Sequence, residues 1–184
     1  MTLVWCLLAG MAQAQPQPIR VAVLENAPPL GYRDAEGNLT GFAINIARAL
    51  CAEIGARCEF EATRLESLIE RLAAGYFDVA AIGLLNTPER SQKVLFTKPV
   101  YRSVTLWVSR PGIQPGDLGA RISIFRGSAH ETFAKAQHWQ VIGAPTEDEM
   151  IEQLAAGVAQ GAIAPLMTSL SLQKRPVFQQ RGLK

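Results

Sequence analysis

Thr87-Pro88-Glu89-Arg90 is the segment of this chain whose residue types and spacing most directly imply chemistry. Thr87 caps a helix start, Pro88 fills the first helical position without wasting a donor, and Arg90 lies in the first turn. Free N–H groups beside a guanidinium make an anion site. The planar fork suits a carboxylate because it donates two parallel charge-assisted bonds. A second helix start is expected at Gly127-Ser128-Ala129-His130-Glu131, where Ser128 and Glu131 have capping-box spacing and the donors point outward. Two such starts facing across a cleft would hold one anionic group. Taken singly, Arg90 also reads as a solvated helix charge and Ser128 as an ordinary cap. Glu25, Glu131 and His130 are the local candidates for a general acid, yet each has a plainer role, as loop charge, cap partner and surface residue of a first helical turn.

Around these residues the chain has 184 positions, 48% apolar and 18% charged, enough to bury a core. Eighteen Lys and Arg against sixteen Asp and Glu leave +2 with the charges scattered, so no basic footprint for nucleic acid is present. No nucleic-acid partner is expected. A mean hydropathy of +0.10 reflects Ala and Leu rather than a spanning segment, since no apolar run reaches the roughly 18 residues that crossing requires.

The first fourteen residues, MTLVWCLLAGMAQA, form a short apolar stretch ending in Ala12-Gln13-Ala14, followed by polar Gln15 to Pro18. They are expected to be a secretory signal cleaved after Ala14, with Cys6 removed. A buried N-terminal strand or helix is the alternative. Cys51 and Cys58 then remain, and in an oxidising compartment a close even pair suits a local disulfide, with two free buried thiols as the alternative. His130 and His138 are too far away in sequence to complete a metal set, and neither a metal nor another cofactor is expected.

The elements that would carry these groups alternate. Ile19 to Leu24 is a buried strand; Gly41 to Ile54 is a helix with a stripe of Phe42, Ile46, Ala49 and Leu50; Cys58 to Thr63 is a strand; Leu65, Leu68, Ile69 and Leu72 form a second stripe ending at Gly75; Phe77 to Leu85 is a further apolar strand. This βαβαβ order predicts a parallel sheet. The intervening ENAPPLGYRDAEGNLTGF, with paired prolines and an Asp-Ala-Glu-Gly turn, reads as a rim loop. The second half repeats the grammar: strand Ala120 to Phe125, helix Ser128 to Ala136, strand Gln140 to Gly143, helix Glu147 to Ala156 and strand Ala159 to Ala164. Between the halves, Tyr101 to Val108 is rich in Val, Thr, Leu and Trp and reads as a connection between two α/β lobes.

IRVAVLENAPPL, GNLTGFAINIARALCAEIGARCEFEA, LIERLAAGYFDVAAIGLLNTPERSQKVLFTKPVY, GARISIFRGSAHETF and MIEQLAAGVAQGAI occur in that order. Together they resemble the bacterial extracellular solute-binding proteins of family 3, which bind polar amino acids in the periplasm. The likeness runs from about Ile19 to Lys174. It implies a two-lobed periplasmic-binding-protein-like α/β fold of type II, each lobe a mostly parallel sheet flanked by helices, with ligand trapped between lobes joined by a two-stranded hinge. The lobes would be residues 15–102 and 103–184. Family members are longer, so the return segment to the first lobe is expected to be missing. The Cys51 and Cys58 spacing is similar to that of basic-amino-acid-binding members in which the pair is bridged.

The resemblance also implies a ligand-binding set. Arg90 matches the Arg that grips the ligand carboxylate, and Ser128 with Ala129 falls in the stretch whose hydroxyl and N–H groups assist it. Ile82-Gly83-Leu84-Leu85 matches the stretch whose oxygens receive the ligand ammonium, although Leu85 stands where a hydroxyl residue is usual. Pro165 stands where many members place an ammonium-pairing Asp, Gln160 replaces the Asp before that strand, and Ala27 replaces a covering aromatic. Leu65 completes the set. The implied function is delivery of an amino acid or related small carboxylate to the inner-membrane permease of an ABC transporter, from the periplasm and without catalysis. A ligand-sensing receptor domain and a dehydratase-like enzyme of the same fold are the alternatives.

Overall fold

The computed structural model describes residues 17–183, without the Arg181 side chain. The expected signal peptide, residues 1–14 with Cys6, lies outside them.

The first sheet is built on β1 (Ile19–Val23), which pairs in parallel with β5 (Cys58–Ala62) on one side and β6 (Val79–Ala80) on the other. Alternation along β1 divides its side chains between two layers. Val21 and Val23 pack with Ile44 and Ala47 of α1 (Phe42–Glu53), whereas Ala22 packs with Leu68 of α2 (Leu65–Ala73), Phe77 and Ile82. The stretch covered on both faces, Val21 to Val23, is apolar throughout, whereas Arg20 earlier in the strand is exposed and pairs with Asp78.

Two expectations change here. The core face of α1 is Ile44 and Ala47, not the stripe of Phe42, Ile46, Ala49 and Leu50; Phe42 and Leu50 are 43% and 58% exposed. The helix is apolar around much of its circumference, so the pattern admitted two faces, and Phe42 instead meets Tyr101 edge-on at 5.4 Å. The run from Phe77 to Leu85 is not one strand, because only Val79–Ala80 joins the ladder. Gly83 takes φ 63°, and a Cβ there would sit 2.3 Å from the Tyr101 hydroxyl oxygen. Glycine lets the chain leave the sheet at this point.

The rim segment contains three short strands missed by periodicity. β2 (Asn26–Ala27), β3 (Gly31–Arg33) and β4 (Leu39–Thr40) form an antiparallel sheet. The expected turn closes β3 onto β4: Asp34 Oδ1 accepts from the N–H groups of Glu36 and Asn38 at 3.1 and 2.7 Å. The Cys51–Cys58 disulfide, with Cα atoms 6.2 Å apart, ties α1 to the first residue of β5.

The second sheet has the order β7-β10-β8-β9, from β7 (Thr105–Ser109), β8 (Arg121–Phe125), β9 (Gln140–Ala144) and β10 (Gly161–Pro165). β8 lies parallel to both neighbours, and β7 is an antiparallel edge. Part of the expected connection is therefore a strand of this lobe, leaving residues 101–104 irregular. Helices α4 (Ala129–Ala136), α5 (Glu147–Ala155), α6 (Leu166–Gln173) and α7 (Pro176–Arg181) flank the sheet. Met150, Leu154, Leu172 and Phe178 fill one side with Val108 and Ala162, while Ile122, Ile124, Ala134 and Ile163 fill the other.

Glu147 is an exception within this apolar packing. Only 1% exposed, it accepts from the Ser171 hydroxyl at 2.9 Å through Oε1 and has no partner for Oε2 among the described residues. Burial, opposed by the Ser171 bond, pushes its carboxyl up to about 7.

Candidate functional site

Between the lobes lies a cleft, partly open to solvent. Ala27, Leu65, Gly83, Leu84, Leu85 and Arg90 line it from the first lobe, and Ser128, Ala129 and Pro165 from the second. The nine positions chosen from sequence thus share one cavity. Leu24, Leu30, Ile82, Phe125, His130 and Thr168 complete the lining. Of these, His130 reads in sequence as a surface residue of a first helical turn or a general-acid candidate, not as part of a ligand-binding set. Thr168 follows Pro165 by one helical turn and carries no motif that would have marked it.

Arg90 sits on α3 (Pro88–Ser91), whose first turn forms as expected: Thr87 Oγ1 accepts from the Arg90 N–H at 3.4 Å, and Pro88 occupies the first position. The side chain is half-buried. Its Nη1 donates to the Leu85 carbonyl at 2.9 Å, and its Nη2 to the Gly127 carbonyl of the opposite lobe at 2.9 Å. Both acceptors are neutral, and no carboxylate forms an ion pair with Arg90 among the described residues. Burial lowers its pKa from the ordinary value, with Glu89 acting in the opposite sense. A guanidinium still carries its charge at neutral pH.

Opposite lies the start of α4. Ser128 is buried, and its Oγ accepts from the Glu131 N–H at 3.1 Å, leaving the hydroxyl proton free to donate. The return half of the capping box differs from the expected pattern, because Glu131 Oε2 accepts from Gly127 at 2.6 Å while Ser128 N–H donates to Phe125 at 3.1 Å. The Ser128 N–H is therefore spent in a turn. The backbone N–H groups of Ala129 and His130 find no protein acceptor among the described residues. Arg90, the Ser128 hydroxyl and these two N–H groups are donors whose residues line one cleft, a combination whose chemistry suits an anion.

Acceptors for a cation are scarcer. The Leu85 carbonyl is already engaged by Arg90, its side chain is apolar, and Pro165 contributes neither a carboxylate nor an N–H. Gln160 lies outside the cleft lining, where Oε1 accepts from the Arg121 N–H at 2.8 Å. His130 Nε2 is 2.7 Å from Thr105 Oγ1. Burial, then the positive charge of Arg90, lowers its pKa below the ordinary histidine value, favouring the neutral ring. The other two general-acid candidates face cations outside the cleft lining: Glu131 Oε1 accepts from Lys135 at 2.7 Å, and Glu25 from Arg33 at 2.7 Å.

The lobes meet closely beside this site. Gly127 takes φ 77°, and a Cβ on it would lie 2.4 Å from Glu66 Cα. Arg126 Nε is 3.6 Å from Glu66 Oε2 across the same seam.

A sequence profile described as bacterial extracellular solute-binding proteins, family 3, matches residues 19–161. The chain is 31% identical over 148 residues to the putative ABC transporter arginine-binding protein 2 of Escherichia coli strain K12, covering 78% of this chain and 61% of that protein. It is 30% identical over 175 residues to the histidine-binding periplasmic protein of Salmonella typhimurium, covering 89% and 67%. The chain thus spans about three-fifths to two-thirds of these curated relatives. Among solved structures, an ancestral arginine-binding protein bound to glutamine superposes with a TM-score of 0.81 at 26% identity, over 93% of this chain and 78% of that one.

Proposed function

Since the chain belongs to the bacterial extracellular solute-binding proteins, family 3, we propose that it is a periplasmic receptor. It captures an amino acid or related small carboxylate between its lobes and presents it to the inner-membrane permease of an ABC transporter. The observation that carries this reading is the donor set formed by Arg90, Ser128 and the free N–H groups of Ala129 and His130 inside a mainly apolar cleft. The names of the arginine- and histidine-binding relatives support an amino acid as the ligand class. The absence of any helix long and apolar enough to cross a membrane, among the described residues, is compatible with a periplasmic place. A lobe division after residue 102 belongs to the same reading.

The cleft favours a carboxylate without a strongly held α-ammonium over lysine, arginine or histidine. A buried ammonium needs acceptors, and Leu85 and Pro165 supply no side-chain oxygen. Catalysis is disfavoured because Glu25 and Glu131 are committed to ion pairs, leaving His130 alone in the cavity.

A thermal-stability screen against the common amino acids and their deaminated acids tests this reading. A ligand that binds only the folded chain stabilises it by about 2.7 kcal/mol at a hundred times its dissociation constant. Stabilisation by a carboxylate recovered unchanged supports the reading. Failure of every carboxylate to stabilise the chain, or conversion of the ligand, overturns it.

A further inference from the structure

Beside the cleft runs a second concavity, an open groove. Leu106 and Trp107 of β7, Phe133 of α4, Ile163 of β10 and Trp139 form its apolar walls. Among the described residues, no charged side chain other than the titratable His130 lines it. Its two polar side chains, Thr105 and His130, meet each other at 2.7 Å. The Trp107 indole N–H is likewise spent, donating to the Ile113 carbonyl at 3.0 Å. Phe133 is 56% exposed and packs edge-on against Trp139, with ring centroids 5.6 Å apart. A contiguous apolar face left open in this way marks a binding surface.

Leu85, Ala129 and His130 line both the groove and the cleft. A molecule whose carboxylate is held at Arg90 and whose body passes these three residues therefore enters the groove. An ammonium or guanidinium tail would meet no carboxylate there, and leaving such a charge unpaired among aromatic walls is costly. An aliphatic or aromatic tail would exchange water for those walls.

We propose that this groove is a ligand subsite for the apolar tail of a carboxylate, so that the chain selects amphipathic acids over basic amino acids. This rests on the reading of the Arg90 cleft as a carboxylate site.

Calorimetric titration of the chain with straight-chain acids from propionate to octanoate, 3-phenylpropionate, and the amino acids from alanine to norleucine tests it. Affinity is expected to rise about fourfold per added methylene in at least one series. Phe133→Ala is expected to weaken octanoate and 3-phenylpropionate at least threefold while leaving propionate unchanged. Affinity that is independent of tail length, or a Phe133→Ala effect equal for short and long acids, overturns the subsite while the carboxylate reading stands. Self-association removed by Phe133→Asp, together with flat length dependence, assigns the groove to a second copy and also overturns it. Failure of all acids at all lengths overturns the carboxylate reading itself, and the subsite with it.

Discussion

Arg90 donates through Nη2 to the carbonyl of Gly127, 37 residues later in the chain and on the opposite lobe, at 2.9 Å. The same guanidinium holds the Leu85 carbonyl through Nη1, so one side chain joins the two walls of the cleft. A carboxylate entering beside it would offer charged oxygens where the protein offers neutral ones, so both partners of each bond would be ionised and the planar fork could be met by two parallel bonds. Binding would then exchange weaker donor pairings for stronger ones.

Replacing Arg90 with Gln should weaken any carboxylate ligand by about 2 to 5 kcal/mol, because a desolvated carboxylate would lose its cation. Lys in its place should recover only part of this, having charge without the planar fork. Calorimetry on both variants checks the order, and an Arg90→Gln chain that binds like the parent would place the anion elsewhere.

Gly127→Ala should impair lobe closure. The new methyl would lie 2.4 Å from Glu66 Cα, and the backbone φ of 77° adds about 1 kcal/mol of strain for a non-glycine residue. Each lobe keeps its own apolar core, so the variant should fold, show a larger radius of gyration in solution scattering, and bind ligand at least tenfold more weakly. Parent-like scattering and affinity would contradict the close seam.

Glu147 gives the fold a pH dependence. Its folded-state pKa of about 7 lies above the ordinary carboxyl value of 4.5, so the native chain holds a proton that the unfolded chain has released. Stability attributable to this group should fall as pH rises from about 4.5 to about 7 and level off above, by up to about 3 kcal/mol. Glu147→Gln should abolish that slope and exceed the parent in stability at pH 8. Urea unfolding at a series of pH values measures the difference, and parallel curves would exclude the carboxyl as its source.

Loss of the Cys51–Cys58 bridge should cost about 2 to 3 kcal/mol, the chain-entropy value for so short a loop. Denaturant unfolding of the oxidised parent and of a Cys51→Ser, Cys58→Ser chain gives the figure directly. Equal midpoints would mean that the bridge adds nothing to the packing of α1 on β5.

The alternation of strands and helices was legible because burial on both faces of a parallel sheet requires apolar runs such as Val21 to Val23. The cleft residues were legible through ordered motifs and helix-start chemistry at Thr87 and Ser128. Three features were not. Strands of two or three residues such as Asn26–Ala27 are shorter than any periodicity. The apolar circumference of α1 left its buried face to be chosen by Val21 and Val23. Glu147 reads in sequence as an ordinary first-turn acid, and its burial arises from Ser171 and the helices that follow β10.

The pairing pattern of the two sheets also bears on the order in which they assemble. β1 must wait for residues 58–62 and then 79–80 before it has neighbours, whereas β8 and β9 are separated by a single helix. Closing the shorter loop costs less chain entropy, so the β8–β9 pair should nucleate earlier during refolding. In pulse-labelled hydrogen exchange the amides of Ile122 to Ile124 should gain protection before those of Val21 to Val23. The lobe synthesised second would then be the first to acquire a persistent ladder.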